Sequence, residues 1–414
     1  MNVTQEYKQT EFGPIPSDWI LCTFQDVLTT FSSGATPYRG IPEYYKGNVR
    51  WISSGELNYN KIFDTVEHIS QQAVRNTNLR VHQPGTFLMA ITGLEAEGTR
   101  GRCAFIEAPA TTNQSCLAIN GTERMCTEYL FWFYRMWGQY LAFKYCQGTK
   151  QQSYTASIVR NLPIYGPKDI TEQQAIAEAL SDIDGLIAAL DKKIAKKRLI
   201  KQGAMQQLLT GKKRLPDFTG DWIEIRLGDY TAMNSGGTPS SSIPEYYNGD
   251  IPFLSISDIT ISGKYIKKTE KAITKKGLKN SSARMFPRGT IMYAMYASLG
   301  KTSIADIELS CSQAILGIAP NDKIDSNYLY YCLSFIENNV KEIGQTGTQT
   351  NLSKQIVQDI LLYIPNQGNE QQAIATILTD MDKEIADLEA KCDKYRLLKS
   401  GMMQKLLTGQ IRLK

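Results

Sequence analysis

The chain is written twice. Ile41-Pro42-Glu43-Tyr44-Tyr45-Lys46-Gly47 returns as Ile243-Pro244-Glu245-Tyr246-Tyr247-Asn248-Gly249, a displacement of 202 residues (41 to 243). Glu172-Gln173-Gln174-Ala175-Ile176-Ala177 returns as Glu370-Gln371-Gln372-Ala373-Ile374-Ala375, and Leu208-Leu209-Thr210-Gly211 as Leu406-Leu407-Thr408-Gly409, both displaced by 198 (172 to 370, 208 to 406). So slow a drift means a duplicated module with small loop insertions. A repeat of about 200 residues is far too long for a solenoid unit, so each copy holds a domain plus an appendage.

Within each copy a globular part precedes a long helix. Thr86-Phe87-Leu88-Met89-Ala90-Ile91 reads as a strand. Glu128 to Tyr145, with Tyr129, Leu130, Trp132, Phe133, Trp137, Leu141 and Phe143, reads as a buried helix, and Asn327 to Glu342 as its counterpart. The globular parts are therefore expected to be α+β, a first spanning 1–168 and a second spanning 214–367. Long spacer helices follow each, over 169–213 and 368–414. Thr171 and Gln174 form a capping-box pattern at the first helix start.

The helices carry a coiled-coil seam. Ile176, Ile183 and Leu190 recur every seven residues, as do Leu180, Ile187 and Ile194. Ile374, Met381, Leu388, Tyr395 and Met402 repeat the pattern beside Leu378, Ile385 and Cys392. Charge sets the direction of pairing. Residues 171–191 carry acids and no base; residues 192–213 carry bases and no acid; the second helix is nearly as polarised. This suits each helix's own dipole and also places acidic halves beside basic halves in an antiparallel pair. A helix from Thr171 to Leu209 is roughly 58 Å long at about 1.5 Å per residue. Antiparallel docking then gives a pseudo-two-fold, effectively circular arrangement, because Leu407-Thr408-Gly409 stops where the first copy runs on into Lys212-Lys213-Arg214.

Bulk composition narrows the field mainly by exclusion. A net charge of +5 is only a mild basic excess. The eight cysteines form no C-x-x-C pair, and two histidines, His68 and His82, leave little for zinc. Scattered thiols fit a reducing, cytoplasmic setting. Neither an apolar leader nor a membrane-length apolar run is expected.

Catalytic motifs fail on inspection. Gly300-Lys301-Thr302 resembles the tail of a P-loop, but the first glycine would fall on Met295. Gly101-Arg102 stands at the matching place in the first copy, so the preserved feature is glycine followed by a base. Asn161-Leu162-Pro163-Ile164 lacks the double proline and the aromatic of an adenine-methyltransferase loop, and Asp217…Glu224-Ile225-Arg226 ends in Arg where a nuclease cluster has Lys. No cofactor and no catalytic residue is assigned.

The ordered motifs resemble the specificity subunit of type I restriction–modification enzymes. They begin with Gly13-Pro14-Ile15-Pro16-Ser17-Asp18-Trp19 and Asp221-Trp222, then Ser33-Gly34-Ala35-Thr36-Pro37 and Ser235-Gly236-Gly237-Thr238-Pro239. Trp51-Ile52-Ser53, Asn113-Gln114 against Ser312-Gln313, and Gly148-Thr149 against Gly347-Thr348 follow, before the Glu-Gln and Leu-Leu-Thr-Gly motifs. Ser312 departs from the expected Asn. The resemblance covers nearly the whole chain and implies two target-recognition domains, each reading half of a split site in double-stranded DNA. It also implies helices that dock two methyltransferase subunits and, through them, restriction subunits, with no membrane partner. Methyl transfer, S-adenosylmethionine binding and cleavage would belong to those partners. Rival readings are the recognition subunit of a related system with fused methyltransferase and nuclease, a self-contained DNA-modifying enzyme, and a scaffold using its helices for protein contacts only.

On that reading Ser33, Gly34 and Thr36, with Gly236, Gly237 and Thr238, bring backbone close to phosphate, or simply make a turn before a strand. Tyr44-Tyr45 and Tyr246-Tyr247, identical in both copies, favour packing or phosphate contact over base choice. Base selection belongs where the copies differ. Arg100, Arg102 and Lys301 can donate to guanine; Gln151, Gln152, Gln349 and Asn351 can pair with adenine; Lys150 lies in the same variable stretch. Lys264, Lys267 and Lys268 open a lysine-rich run suited to phosphate, or merely to solubility, rather than to sequence choice.

Overall fold

The computed structural model describes residues 6–96, 98–148, 152–345 and 351–413. The chain forms two compact units: the first joins residues up to 191 with those from 391 onward, and the second is the contiguous stretch 192–390.

The first unit is built on a five-stranded sheet of β1 (Thr29–Ser33), β2 (Asn60–Ile62), β3 (Phe87–Ala90), β4 (Cys103–Ile106) and β5 (Cys116–Asn120), in the order β1-β5-β3-β4-β2. Every neighbour pair is antiparallel except β2 with β4, where Asn60 faces Ala104. Near-continuous apolar runs in β3, β4 and β5 explain their burial, complete but for Asn120 at the end of β5. One face is covered by α1 (Thr127–Tyr145), whose Tyr134 meets Phe87 edge-on at 5.5 Å and whose Phe131 meets Phe105 at 6.2 Å. A three-stranded sheet of Val49–Ile52, Glu67–Ile69 and Ala110–Thr112 carries a satellite core around Tyr44 and Trp51.

The expectation that Phe143 belongs to the buried face of α1 is not met: it is 77% exposed. Leu130, Tyr134, Gly138 and Leu141 form the buried stripe. Phe143 lies two residues past Leu141, about 200° further around the helix, so it points away from the core.

The second unit repeats the sheet with β6 (Thr231–Ser235), β7 (Tyr265–Ile266), β8 (Ile291–Ala294), β9 (Thr302–Ala305) and β10 (Ile315–Pro320), in the order β6-β10-β8-β9-β7. Again only the edge pair β7–β9 is parallel. The counterpart of α1 is shorter than expected. α2 (Ile170–Leu208) comes between them in the chain, and α3 (Ser326–Phe335) stops at Ile336, with a separate helix over Glu337–Gln345. Ile336 sits at φ −87°, ψ 2°, and Asn338-Asn339 beyond it offer weak helix preference.

Two long helices, α2 with 39 residues and α4 (Gly368–Leu407) with 40, contribute to both units. Each unit contains an antiparallel pair of half-helices. In the first, moving along α2 from Asp184 to Asp191 moves the partner on α4 back from Lys399 to Arg396. In the second, moving from Lys197 to Lys201 moves it back from Glu384 to Asp382, and Arg198 meets Glu389 at 2.5 Å. Partly exposed pairs of this kind contribute roughly 0.2–1 kcal/mol each, so they set direction more than strength. Ile176, Ile183, Leu190 and Ile194 are buried, as are Ile374, Leu378, Ile385 and Cys392, while Met381, Leu388 and Tyr395 are half-buried.

Thr171 does not cap α2. The helix begins at Ile170, and Asp169 accepts both the Thr171 amide (2.9 Å) and its hydroxyl (2.8 Å). The carboxylate two residues earlier supplies the acceptor that the sequence pattern assigned to threonine.

Candidate nucleic-acid interface

The two glycine-rich loops leave the ends of β1 and β6 in the same way. A Cβ on Gly34 would stand 1.7 Å from the Thr112 carbonyl oxygen, and one on Gly236 would stand 2.3 Å from that of Cys311. The next amide in each loop donates to that same carbonyl: Ala35 to Thr112 (3.1 Å) and Gly237 to Cys311 (2.9 Å). Close backbone crossing therefore demands both glycines. Thr36 and Thr238 are exposed, and their hydroxyls donate to Gln114 (2.6 Å) and to Gln313. Tyr45 and Tyr247 tether the loops by donating to the Pro37 and Pro239 carbonyls, at 2.6 and 2.5 Å. Main chain closes both turns, Cys116 N–H to Asn113 C=O (3.3 Å) and Ile315 N–H to Ser312 C=O (3.1 Å), and Asn113 only adds a side-chain bond from the Ser115 amide (3.0 Å). That is why serine is tolerated there.

The units diverge in the loop between the third and fourth strands of each sheet. It has twelve residues in the first unit (91–102) and seven in the second (295–301). Both are anchored alike, Tyr154 N–H to Ile91 C=O at 2.8 Å and Leu352 N–H to Met295 C=O at 2.9 Å. Both close on a left-handed glycine before the base, Gly101 at φ +75° and Gly300 at φ +77°. Arg102 donates through Nε to the Gly98 carbonyl (2.7 Å), while Arg100 donates through Nε and Nη2 to Gln152 Oε1 (3.3 and 3.0 Å). Arg100 and Gln152 are thus brought together, and Arg102 is separate. Lys301 is half-exposed and Asn351 exposed. Lys150, Gln151 and Gln349 lie outside the described residues.

The lysine run is not one surface. Lys267 and Lys268 are exposed, but Lys264 is half-buried. Its ammonium donates to the Tyr331 hydroxyl (3.1 Å) and Thr379 Oγ1 (2.9 Å) and stands 4.4 Å from the Tyr331 ring centre. Burial pushes its pKa down to about 8.

Gly300-Lys301-Thr302 lies in a hairpin between β8 and β9, whereas a phosphate-binding P-loop leads from strand into helix. Among the described residues no group of three or more His, Cys, Asp or Glu is placed to hold a metal ion, and no helix is long and apolar enough to cross a membrane. His68 Nε2 stands 2.9 Å from Asp64 Oδ1, and burial pushes the His82 pKa down to about 4.

The repeated helix-end motifs form paired closures. Glu172 and Gln173 are both buried, as are Glu370 and Gln371. Gln173 donates to the Arg124 and Pro167 carbonyls (both 2.9 Å) and accepts from Cys126 N–H (2.9 Å). Gln371 does the same with Lys323 (3.2 Å), Pro365 (2.9 Å) and Asp325 (2.8 Å). Arg412 grips Glu172, and Arg214 grips Glu370. Gly211 and Gly409, at φ +68° and +69°, end the helices and turn these arginines back. The signal was present: Arg214-Leu215 and Arg412-Leu413 also repeat at 198 residues (214 to 412).

A family model described as "Type I restriction modification DNA specificity domain" matches residues 16–197 and again 219–394. The putative type I restriction enzyme MjaX specificity subunit of Methanocaldococcus jannaschii is 26% identical over 99% of this chain and 97% of its own length. The type I restriction enzyme MjaVIII specificity subunit of the same organism is 22% identical, covering 100% and 98%. The crystal structure of a type I restriction–modification S subunit from M. genitalium shares the fold, with a TM-score of 0.64 at 16% identity, covering 98% of this chain and 99% of that one.

Proposed function

Because the chain belongs to the type I restriction–modification DNA specificity family, we propose that each of its units reads one half of a bipartite, asymmetric DNA site. Its paired helices dock methyltransferase subunits and, through them, restriction subunits. Recognition is this chain's part; methyl transfer and cleavage belong to the partners.

One observation supports this reading above the others. The same five-strand order occurs twice, yet the loop at the matching sheet end has twelve residues in one unit and seven in the other. A common scaffold with unlike rims suits two readers of unlike half-sites, whereas a symmetric site would want matching rims. Exposed Lys267 and Lys268 add phosphate affinity that carries no sequence information.

The test is methylome sequencing of a host carrying this chain with the methyltransferase subunits of its own system. A single two-part motif is expected, methylated only when both proteins are present. Arg102→Ala should relax choice in one half alone, and equal loss at both halves would overturn the assignment of independent readers. Methyl transfer by the isolated chain would instead favour a self-contained enzyme.

A further inference from the structure

Phe143 stands out on α1. Its neighbours Tyr140, Lys144 and Tyr145 turn their polar tips to Glu11, and Phe131, Trp132, Phe133 and Tyr134, earlier in the helix, are buried. Phe143 keeps 77% of its surface exposed and has no polar tip for water. Its ring centre lies 5.9 Å from the Arg100 guanidinium carbon. That guanidinium is already oriented, since Gln152 Oε1 accepts from its Nε and Nη2 edge. Gln152 is itself fixed through its main chain, its N–H donating to Glu95 Oε2 (3.0 Å) and its C=O accepting from Leu94 N–H (3.1 Å).

An arginine held along its Nε/Nη2 edge keeps the Nη1/Nη2 end as a fork, the shape that meets O6 and N7 of guanine in the major groove. A phenylalanine face makes apolar contact with the 5-methyl group of thymine. The 5.9 Å between ring and guanidinium exceeds the rise of roughly 3.4 Å per base pair, a spacing suited to neighbouring pairs rather than a single one. At the matching positions of the second unit stand Leu299, which is buried, and Glu342. Among the described residues the cluster belongs to the first unit.

Resting on the reading of the first unit as a DNA reader, we propose that Arg100 reads a guanine and Phe143 the methyl of an adjacent thymine, with Gln152 positioning the arginine and not reading adenine itself. The first unit's half-site then contains a G·C pair beside an A·T pair.

The experiment uses the assembled complex and a duplex carrying its own methylated motif. In that duplex each half-site thymine is replaced in turn by deoxyuridine and each guanine by 7-deazaguanine. For the unaltered complex, one 7-deazaguanine is expected to weaken binding on the order of 10-fold, and an adjacent deoxyuridine on the order of 4-fold. Phe143→Ala should abolish only the deoxyuridine penalty, and Arg100→Ala only the 7-deazaguanine penalty. Gln152→Ala should relax the guanine choice, while Gln152→Glu, which keeps the acceptor, should retain it. Unchanged selection in the other half-site reports that each variant is folded. A deoxyuridine penalty that survives Phe143→Ala, or a half-site with no G·C pair beside an A·T pair, overturns the proposal. If the unaltered complex methylates no two-part motif, the parent reading fails instead.

Discussion

Arg412 reaches Glu172 across 240 positions of sequence, with Nε to Oε1 at 2.5 Å and Nη2 to Oε2 at 2.7 Å. Arg214 repeats the grip on Glu370 at 2.6 and 2.8 Å across 156 positions. The Glu172 side chain is only 2% exposed, and Arg412 compensates for the water its carboxylate has lost. Arg412→Ala should destabilise the first unit by about 3–5 kcal/mol by leaving a buried carboxylate unpaired. Arg214→Ala should do the same to the second unit. Hydrogen exchange read unit by unit checks both, and a loss spread evenly over the two units would contradict the pairing.

Two glycines with opposite surroundings should respond oppositely to alanine. Gly34→Ala forces a methyl against the Thr112 carbonyl and should cost about 1–3 kcal/mol. Gly185→Ala, in α2 with nothing within 4 Å of the added methyl, should gain up to about 1 kcal/mol. Thermal unfolding of the two variants settles the sign of each.

Lys264 should contribute a pH dependence to the second unit. Its pKa is lowered by burial to about 8, against 10.5 for the unperturbed group. Between those values the unfolded chain binds more protons, so stability should rise with pH across the window and be lowest below about 8. Lys264→Met should therefore stabilise the second unit at neutral pH, and the difference should shrink as pH climbs toward 10.5. Denaturant midpoints taken from pH 7 to 10 would show it; a difference that stays flat would exclude it.

The same placement separates the lysines in DNA binding. Lys267→Ala and Lys268→Ala should each lower the salt slope of affinity by about 0.9 for every phosphate left without its cation. Lys264→Ala, its amine turned toward Tyr331 and Thr379, should leave that slope unchanged. Titrations of the complex on duplex DNA at several salt concentrations distinguish the three.

Leu180 and Leu378 occupy equivalent, fully buried seam positions, one in each unit. Either leucine replaced by alanine should cost about 2–5 kcal/mol. Leu388→Ala, at a half-buried position, should cost less. Urea unfolding of the three variants ranks them.

What could be read from the sequence was whatever is periodic or repeated. The seven-residue spacing from Ile176 to Leu190, the charge polarity of both helices and the 198-residue displacement are local patterns, and the half-helix pairs of each unit follow from them. Sheet order was not legible, because pairing β2 with β4 joins residues about forty positions apart with no local trace. Glu172 and Gln173 look like an ordinary polar helix start, and only a partner from the far end of the chain makes the burial of that carboxylate tolerable. Phe143 escapes a sequence reading because a run of aromatics hides which side of the helix is wet. Lys264 resembles its lysine neighbours in sequence because composition does not reveal which amine a strand edge turns inward.

The division of the chain also orders its assembly on the ribosome. Residues 192–390 form a contiguous unit, while residues 6–191, although made earlier, belong to a unit that is complete only once 391–413 have been made. The half translated first is therefore the half finished last. A nascent chain stalled before Gly409 would expose both Glu172 and the unfilled surface around Trp19, against which Gly409 packs.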